Sequence, residues 1–419
     1  MQIFRKSVLT AGVVLLIAAV AASGSSAADP EPPVIEITWD GIAGLVDAHP
    51  LLSEGAQRVA AAQGAVGVAG ALPNPVLEGV VGRGRELPGE AYGRQWDLSL
   101  TLPLDWLAQR PPRIAAAAAE LAVAAAEGES IRRDALLELR TQFWRLVHDQ
   151  ARVGVVGELD RQMAELAAAV DRRVEAGEAR PLESTRVGIE RELVADELQT
   201  AQISLASRQA QLALWLGAPA GARIIAVADL EALPLPPDPD GAATPPAADH
   251  PELVAGEARV RALAAGLSAA KRARVPAFSL MAFTSREQQR RAHGAGIAVD
   301  VPLWNWNRGG VAQAQAQLAA GRSREEVRRR TLAAAIVEAA AACRTSFATA
   351  SRYAAGVVPR AADAAAVVEK TYLLGEASLL EVIDARRTLL ASRRQLLDAL
   401  AQAQIDHCRL RALTGEENP

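Results

Sequence analysis

Two acidic side chains late in the sequence are the residues best suited to act on a charged solute. Glu381 and Asp384 lie three positions apart, so a helix would carry both carboxylates on one face. In a symmetric assembly of several copies they would form stacked rings of carboxylates, which favour cations. The matching positions earlier in the chain hold Glu183 and Arg186. Only the second site keeps both acids. At the first site we expect the positive charge of Arg186 to bridge to a neighbouring helix and to hold that end of the molecule shut.

The two cysteines suggest a second kind of chemistry, the formation of a disulfide bond. Cys343 and Cys408 lie almost equally far before and after Gly375. In an antiparallel helical hairpin that turns at Gly375, they would lie at the same height. Disulfides form in oxidising compartments, so Cys343–Cys408 is a candidate bond, although equal height leaves open whether the side chains face each other.

The sequence contains no recognisable catalytic or cofactor-binding motif. The five histidines have no metal-ligand spacing, and no helix follows Gly82-Arg83-Gly84 at the place that a dinucleotide-binding turn requires. The net charge of −4 comes without a basic patch interleaved with aromatic residues. We therefore expect no enzyme, no metal site, no cofactor and no nucleic-acid partner.

The elements that must position these residues occur twice. Four landmarks recur in the same order about 200 residues later, namely His49-Pro50 as His250-Pro251, Leu102-Pro103-Leu104 as Val301-Pro302-Leu303, Val174–Ala179 as Tyr372–Ala377, and Leu216-Gly217 as Thr414-Gly415. The repeated unit is therefore a whole structural half. We place the first repeat at residues 29–226, a Pro-rich linker at 227–249 and the second repeat at 250–419.

The N-terminal segment, residues 1–28, has the pattern of an export signal. Arg5 and Lys6 precede an apolar run at Val8–Ala22, and Ser26-Ala27-Ala28 provides small residues for cleavage. The apolar run is shorter than the roughly 20 residues of a membrane-spanning helix, and no comparable run follows it. We therefore expect the mature chain to be exported to the periplasm without a membrane-spanning helix.

Each half is predicted to contain one very long helix and two shorter ones. Stretches rich in Ala, Leu, Glu and Arg predict long helices at 113–176 and 311–374. The shorter helices are predicted at 42–71 and 182–215, and at 252–274 and 378–412. At 1.5 Å per residue a long helix would measure roughly 96 Å, which does not fit a compact domain.

Between these helices each half carries one β-hairpin. Alternating polar and apolar residues predict strands at 76–84 and 92–104, and at 276–285 and 294–303. Four amphipathic strands cannot close a membrane barrel, which takes about eight or more, and open edges are not tolerated in lipid. A barrel would therefore have to be shared, and three copies would supply twelve strands.

Three tryptophans, Trp106, Trp304 and Trp306, follow the hairpins in sequence. This is where aromatic residues at a membrane interface would lie. The alternative is that they cap a soluble hairpin.

A glycine separates each long helix from the shorter helix that follows it, Gly177 in the first half and Gly375 in the second. Glycine permits the left-handed conformation that ends a helix. Both segments are therefore predicted to be tips of helical hairpins, at the end of the molecule opposite the strands.

Three segments together resemble the TolC-type outer-membrane efflux proteins, including the branch associated with metal-cation efflux. They are Ala71–Pro75, Val299–Gly310 and Thr371–Ala385, within a resemblance that spans residues 38–415. The family implies an α+β membrane protein with a duplicated unit of one β-hairpin plus very long α-helices. It implies a trimeric 12-stranded β-barrel in the outer membrane, continued by a periplasmic α-helical barrel. It also implies a passive conduit that a periplasmic adaptor and an inner-membrane pump engage.

The resemblance assigns roles to residues at and near the two tips. The adaptor-docking positions it implies are Arg173, Gly177, Glu178 and Pro181 on the first tip, and Tyr372, Leu374, Gly375, Glu376 and Ser378 on the second. It also implies an acidic pore constriction at Glu381 and Asp384, with Arg186 at the matching position of the first half. The alternatives are tips without a partner and helix charges that only face solvent.

Two other classes of protein stay open at this point. A periplasmic coiled-coil adaptor or scaffold would lack the duplication and the two equivalent amphipathic hairpins. A periplasmic enzyme with helical arms would need clustered catalytic side chains. For a channel, the cargo is open too, since metal cations, drugs and exported proteins all use this architecture.

Overall fold

The computed structural model describes residues 33–85, 92–104, 106–219, 221–232, 250–287, 290–301 and 303–415. The predicted signal peptide, residues 1–28, lies outside these residues, as do residues 233–249 of the predicted linker. Pro302, which belongs to one of the repeated landmarks, also lies outside them.

Helices and strands follow the predicted order in both halves. The first half contains β1 (Val34–Thr38), a 3-10 turn (Trp39–Gly41), α1 (Ile42–Asp47), α2 (Pro50–Gly70), β2 (Val76–Arg85), β3 (Tyr92–Pro103), α3 (Trp106–Glu175), α4 (Pro181–Trp215) and β4 (Arg223–Val227). The second half contains α5 (Pro251–Arg272), β5 (Ala277–Glu287), β6 (Arg290–Asp300), α6 (Arg308–Arg352), a π-helical turn (Tyr353–Val357), α7 (Val358–Leu373) and α8 (Leu379–Thr414). The longest helix, α3, has 70 residues and measures roughly 105 Å.

The predicted helix at 42–71 is two helices, which was not expected. α1 ends before His49, and the imidazole Nδ1 of His49 accepts a hydrogen bond from the Leu51 N–H at 3.2 Å. Pro50 then occupies the first position of α2, where the missing N–H of proline costs nothing. His250 caps α5 in the same way, which explains why the His-Pro pair occurs twice.

The start of α3 also differs from the prediction. The helix begins at Trp106 and continues through Pro111 and Pro112, after which we had placed its start. The Arg110 guanidinium donates to the Gly70 carbonyl oxygen at 2.7 Å. This contact holds the first turns of α3 against the end of α2, so tertiary packing outweighs the local preference of proline.

The strands β2, β3, β5 and β6 form one antiparallel sheet in that order. The predicted strand bounds, 276–285 and 294–303, left out the polar residues between them, and this was wrong. Most of these residues extend β5 and β6, and Arg286 lies opposite Arg291. An exposed sheet face accepts polar residues, so their presence did not mark the strand ends. β2 and β6 are paired on one side only and form the two edges of the sheet.

A second, two-stranded parallel sheet of β1 and β4 was not predicted. Its Ile37 and Ile224 are buried in the largest core cluster together with Phe143 of α3. The side-chain amide of Gln150 both donates to and accepts from the backbone of Ala226, at 2.9 Å each way. These contacts fasten the two ends of the first half to the middle of α3.

One helical segment among the described residues, Arg308–Leu373, could cross a membrane by length and composition alone. Its apolar stretch consists largely of alanine and is partly buried against neighbouring helices, as in a helical core. A π-helical turn interrupts the segment just before Pro359, whose ring and missing N–H disfavour regular helix. The segment packs along α8 and forms one arm of the second helical hairpin.

The close packing of α5 on α6 leads to a testable prediction about stability. A methyl group at Gly256 would overlap with the end of the buried Glu325 side chain, which must shift to make room, so Gly256→Ala should not gain the stability that alanine gives at an open helical position. Gly266 lies on the same helix and a methyl group there meets nothing. Gly266→Ala should therefore raise stability by about 0.5 to 1 kcal/mol. Denaturant unfolding of both variants checks this, and equal effects of the two substitutions would contradict it.

Candidate functional site

The two tips have the same backbone geometry. Gly177 and Gly375 adopt φ values of 76° and 80°, which glycine reaches without strain. In each tip the residue after this glycine donates its N–H back to the last turn of the helix, Glu178 to Arg173 at 2.8 Å and Glu376 to Thr371 at 2.9 Å. The long helix of each half therefore ends in the same turn, as the sequence predicted.

The helices that leave the two tips begin differently. Ser378 and Glu381 form a capping box, in which the Glu381 carboxylate accepts the Ser378 N–H at 2.7 Å. The first tip has Arg180 at the equivalent place without a side-chain cap, followed by Pro181 at the first helical position. Glu381 thus has a local structural role that the spacing argument did not foresee. The Asp384 side chain, one turn later, is exposed.

Tyr372 connects the two tips and is not a surface residue. Its side chain is only 8% exposed and packs in an apolar cluster with Val170 and Val187 of the first hairpin. The Arg173 guanidinium carbon lies 5.2 Å from the centroid of the Tyr372 ring, within range of a cation–π interaction. Burial raises the pKa of the Tyr372 hydroxyl, and the nearby Arg173 opposes this rise. The Tyr372 side chain is therefore not exposed at the tip as was expected, and its part in docking stays a prediction.

The other tip residues predicted from the resemblance lie at the surface or close to it. Exposed are Gly177, Glu178, Pro181, Leu374, Gly375, Glu376 and Ser378. Leu374 is 74% exposed, and its neighbour Leu373, which the sequence analysis missed, is 81% exposed. Leu182 and Leu380, at equivalent positions after the two glycines, are exposed as well. Their recurrence in the two repeats was a signal that could have identified them.

Within one copy of the chain, Arg186 does not bridge to another helix. It is exposed, and among the described residues no ion pair involves it. The link between the equivalent helices α4 and α8 is made instead by Arg387 with Glu190 and by Arg394 with Glu197, the latter at 2.7 Å. Both pairs repeat after seven residues, which matches the side-by-side packing of two helices. The seven-residue spacing of Glu on α4 and of Arg on α8 could have predicted these two pairs from the sequence.

A titratable cluster that the sequence analysis also missed joins α3, α4 and α8. The Nδ1 of His148 lies 3.0 Å from Asp149 Oδ1, and its Nε2 lies 2.8 Å from Asp398 Oδ1. The second oxygen of Asp149 accepts a hydrogen bond from Arg208 at 2.5 Å. The hydrogen bond with Asp149 raises the pKa of His148, and Asp398 adds to this against the opposing effect of burial. Burial raises the pKa of Asp149, but His148 and Arg208 lower it more, so that it is lowered overall.

This cluster predicts a pH dependence of stability. Because the pKa of His148 is raised, protonated His148 stabilises the folded state. This stabilisation is complete below pH 6.5, the ordinary pKa of histidine, and is lost as pH rises through the raised pKa. Asp149 affects stability in a different pH range. Because its pKa is lowered, the stabilisation from its carboxylate is lost only at acidic pH, as pH falls through the lowered pKa. His148→Gln should therefore cost about 1 kcal/mol near pH 6, and less near pH 9. Urea unfolding at both pH values checks this, and a cost that does not change with pH would contradict it.

The predicted disulfide is not formed in the structure, where Cys343 and Cys408 are both free and buried. Cys343 packs in the cluster around Phe347, whereas Cys408 belongs to the cluster that contains Phe143 and Trp144. Cys343 still lies near enough to add slightly to the raised pKa of Cys408. Burial raises the pKa of each thiol to about 11, so the reactive thiolate is scarce. The two cysteines therefore lie near each other on the hairpin, as their positions predicted, but they are not bonded.

The sheet at the opposite end from the tips has one apolar and one polar face. Leu98, Leu100 and Leu102 of β3 are exposed, whereas the alternating Asp97, Ser99 and Thr101 are half-buried. Trp304 and Trp306 are exposed and Trp106 is half-buried, all at the end of the sheet where the helices begin. Exposed apolar side chains of this extent on a sheet are typical of a surface in contact with lipid.

Among the described residues, no group of three or more His, Cys, Asp and Glu side chains is placed to hold a metal ion. The cavities among these residues are grooves between helices or on the sheet. The features with functional character are therefore the paired tips, the charged positions just after them and the amphipathic sheet.

An amphipathic sheet joined to helices of about 100 Å, with two equivalent tips at the far end, is the architecture of an outer-membrane efflux channel. The sequence matches the Outer membrane efflux protein family over residues 45–218 and 247–416, and this chain belongs to that family. Each matched segment covers most of one structural half. The resemblance to TolC-type proteins is therefore confirmed, and the protein is an outer-membrane channel component that extends into the periplasm rather than an enzyme.

Several known proteins are similar to this chain. The cobalt-zinc-cadmium resistance protein CzcC of Cupriavidus metallidurans is 28% identical over 355 residues, which cover 84% of this chain and 83% of CzcC. The CusC channel structure superposes with a TM-score of 0.76 at 18% identity, covering 93% of this chain and 95% of CusC. The outer membrane protein VceC of Vibrio cholerae has a TM-score of 0.73 at 18% identity, covering 90% of this chain and 95% of VceC. The two structures support the fold alone.

Proposed function

We propose that three copies of this chain form the outer-membrane conduit of a tripartite efflux system. The observation that supports this most is the four-stranded sheet, whose edges β2 and β6 are both open and whose apolar face is exposed. Unpaired strand edges are not tolerated in lipid, so β6 of one copy must pair with β2 of the next. Because the strands alternate in direction, this contact is antiparallel, and three copies close a barrel of twelve strands.

The helices then continue the barrel into the periplasm as a tunnel. The tips form its inner end, where exposed Leu373 and Leu374 offer apolar contacts to a partner. We propose that the partner is a periplasmic adaptor coupled to an inner-membrane pump, and that the exposed tip residues, including Glu178 and Glu376, are part of the docking surface. Energy for transport comes from the pump, and the conduit is passive.

The cargo that we propose is a metal cation. The relative CzcC is described as a cobalt-zinc-cadmium resistance protein. The exposed Asp384 and the neighbouring Glu381 lie just beyond the second tip, where rings of three would favour cations.

The test is to measure the mass and the conductance of the same preparation. Protein extracted in detergent should have three times the mass of the mature chain, and should form cation-selective channels in a planar bilayer. Cross-linking that stops at the trimer supports the same conclusion. A monomer that is soluble without detergent and forms no channels would overturn the proposal and favour a periplasmic scaffold.

A further inference from the structure

We propose that the apolar face of the β2-β3-β5-β6 sheet binds an anionic, phosphate-bearing lipid of the outer leaflet of the membrane. The inference rests on the proposed insertion of the sheet into the outer membrane. The helices lie in the periplasm, so the turn ends of the four strands face the exterior. The residues at these turn ends show which lipid headgroups the surface can hold.

Strand register places a basic cluster at the turn ends on the apolar face. Arg83 lies opposite Arg94 in the first hairpin, and Arg286 lies opposite Arg291 in the second. Arg286 is also opposite Trp96 across the boundary between the two hairpins. Side chains alternate along a strand, so all these residues share the face that carries Leu98 and Leu100. Each of the four arginines is exposed.

This cluster is unfavourable without an anion. Like charges directly opposite each other destabilise an antiparallel pair, and here two such pairs lie side by side. Among the described residues no ion pair involves Arg83, Arg94, Arg286 or Arg291. Guanidinium groups bind phosphate in a bidentate manner, so a phosphate-bearing headgroup would relieve the repulsion.

The charges on the sheet are segregated between its two faces. On the described strand positions, the apolar face carries no acidic residue. The four acidic strand residues, Glu78, Asp97, Glu287 and Asp300, all lie on the opposite face, together with Arg290. A general need for solubility at the strand ends would not produce this division. It matches a surface that meets negative headgroups on one side only.

A groove on the same face offers a place for an acyl chain. It has a volume of about 530 Å³, and the residues of this face that line it are Leu100, Leu102, Leu280, Ala282, Ala295 and Ile297. Ala282 lies opposite Ala295, so two small side chains form the floor between larger ones. Arg286 follows Ala282 by four residues, which is roughly 13 Å along the strand. One lipid can therefore place its headgroup on the arginines and a chain in the groove.

The experiment compares lipid binding by the intact channel and its variants. Purified protein in detergent receives equal amounts of phosphatidylglycerol and phosphatidylcholine, and native mass spectrometry counts the lipids bound. The wild type should prefer phosphatidylglycerol by about fivefold or more, since each basic residue at an anionic surface contributes on the order of 1 kcal/mol. The triple variant Arg94→Gln/Arg286→Gln/Arg291→Gln, which keeps only Arg83 of the cluster, should lose most of this preference. The corresponding triple Lys variant should keep most of the preference.

Arg290→Gln is the matched control, because Arg290 is next to Arg291 but on the other face. It should keep the wild-type lipid preference. Loss of preference in this control, or its persistence in the triple Gln variant, would overturn the proposal. A large excess of inorganic phosphate should not displace the lipid, and displacement would mean that the cluster binds phosphate without a lipid. Planar-bilayer conductance should be the same for the wild type and the triple Gln variant. This measurement tests the proposed conduit independently of lipid binding.

Discussion

Replacing Tyr372 with alanine is expected to loosen the tip end of the molecule and to raise the conductance of the channel. Tyr372 is buried between the two helical hairpins and contacts Arg173 of the first tip. Removing a buried aromatic ring costs about 3 to 5 kcal/mol, and this loss would act on the contact that holds the hairpins together. Hydrogen exchange at the tips should become faster, and single channels should open more widely in planar bilayers.

Two further variants show whether the effect comes from this contact. Tyr372→Phe keeps the ring and its stacking with Arg173, so it should change the stability of the tips by less than about 1 kcal/mol. Leu374→Ala removes an exposed side chain from the same tip. It should leave hydrogen exchange and conductance unchanged and should weaken only the binding of the adaptor. If Leu374→Ala and Tyr372→Ala had the same effect on exchange, the internal role of Tyr372 would be refuted.

The double variant Glu381→Gln/Asp384→Asn is expected to reduce the cation selectivity of the channel by about fivefold, equivalent to roughly 1 kcal/mol of attraction for a permeating cation. The amide groups remove the negative charges and keep the shape of both side chains. Glutamine at position 381 can still accept the Ser378 N–H, so the capping box that begins α8 is preserved. Reversal potentials under a salt gradient measure the selectivity.

The amide substitutions test the effect of charge without also changing the stability of the helix start. Glu381→Ala would lose the cap as well as the charge, at a cost of about 1 kcal/mol, and a change in conductance could then come from a frayed helix. Asp363→Asn is the matched control, since Asp363 is an exposed acid on α7 away from the tip turn. It should leave selectivity as in the wild type. Unchanged selectivity in the double variant would show that the constriction lies elsewhere.

The corrections to the predicted site have one physical origin. Tyr372 was assigned from the family resemblance, Arg186 from its matching position in the first repeat and Glu381 from its spacing to Asp384. None of these shows what a side chain meets in the folded chain. Packing of the second hairpin on the first buries Tyr372, and it leaves Arg186 exposed while Arg387 and Arg394 make the bridges. The N–H of Ser378 recruits Glu381 as a cap because a helix start needs an acceptor.

Contacts between distant segments were the other features that the sequence did not show. β1 and β4 pair although almost the whole first half separates them, and each is only five residues long. His148 meets Asp398 across the two repeats. Periodicity reports on neighbours along one element, and it carries no information about which residue of another element will lie opposite.

The order of the helices and hairpins and the two glycine tips were readable from residue order, because they depend on local rules of helix formation, alternation and backbone freedom. The break of the first helix at His49, the start of α3 at Trp106 and the full length of β5 and β6 were not. The sequence motifs also identified the family correctly. The partners of Tyr372, His148 and the arginines on α8, and the segregation of charge between the two faces of the sheet, became visible in the folded chain. They depend on the register and rotation with which elements pack, which are set by the summed contacts of the whole core and not by any single segment.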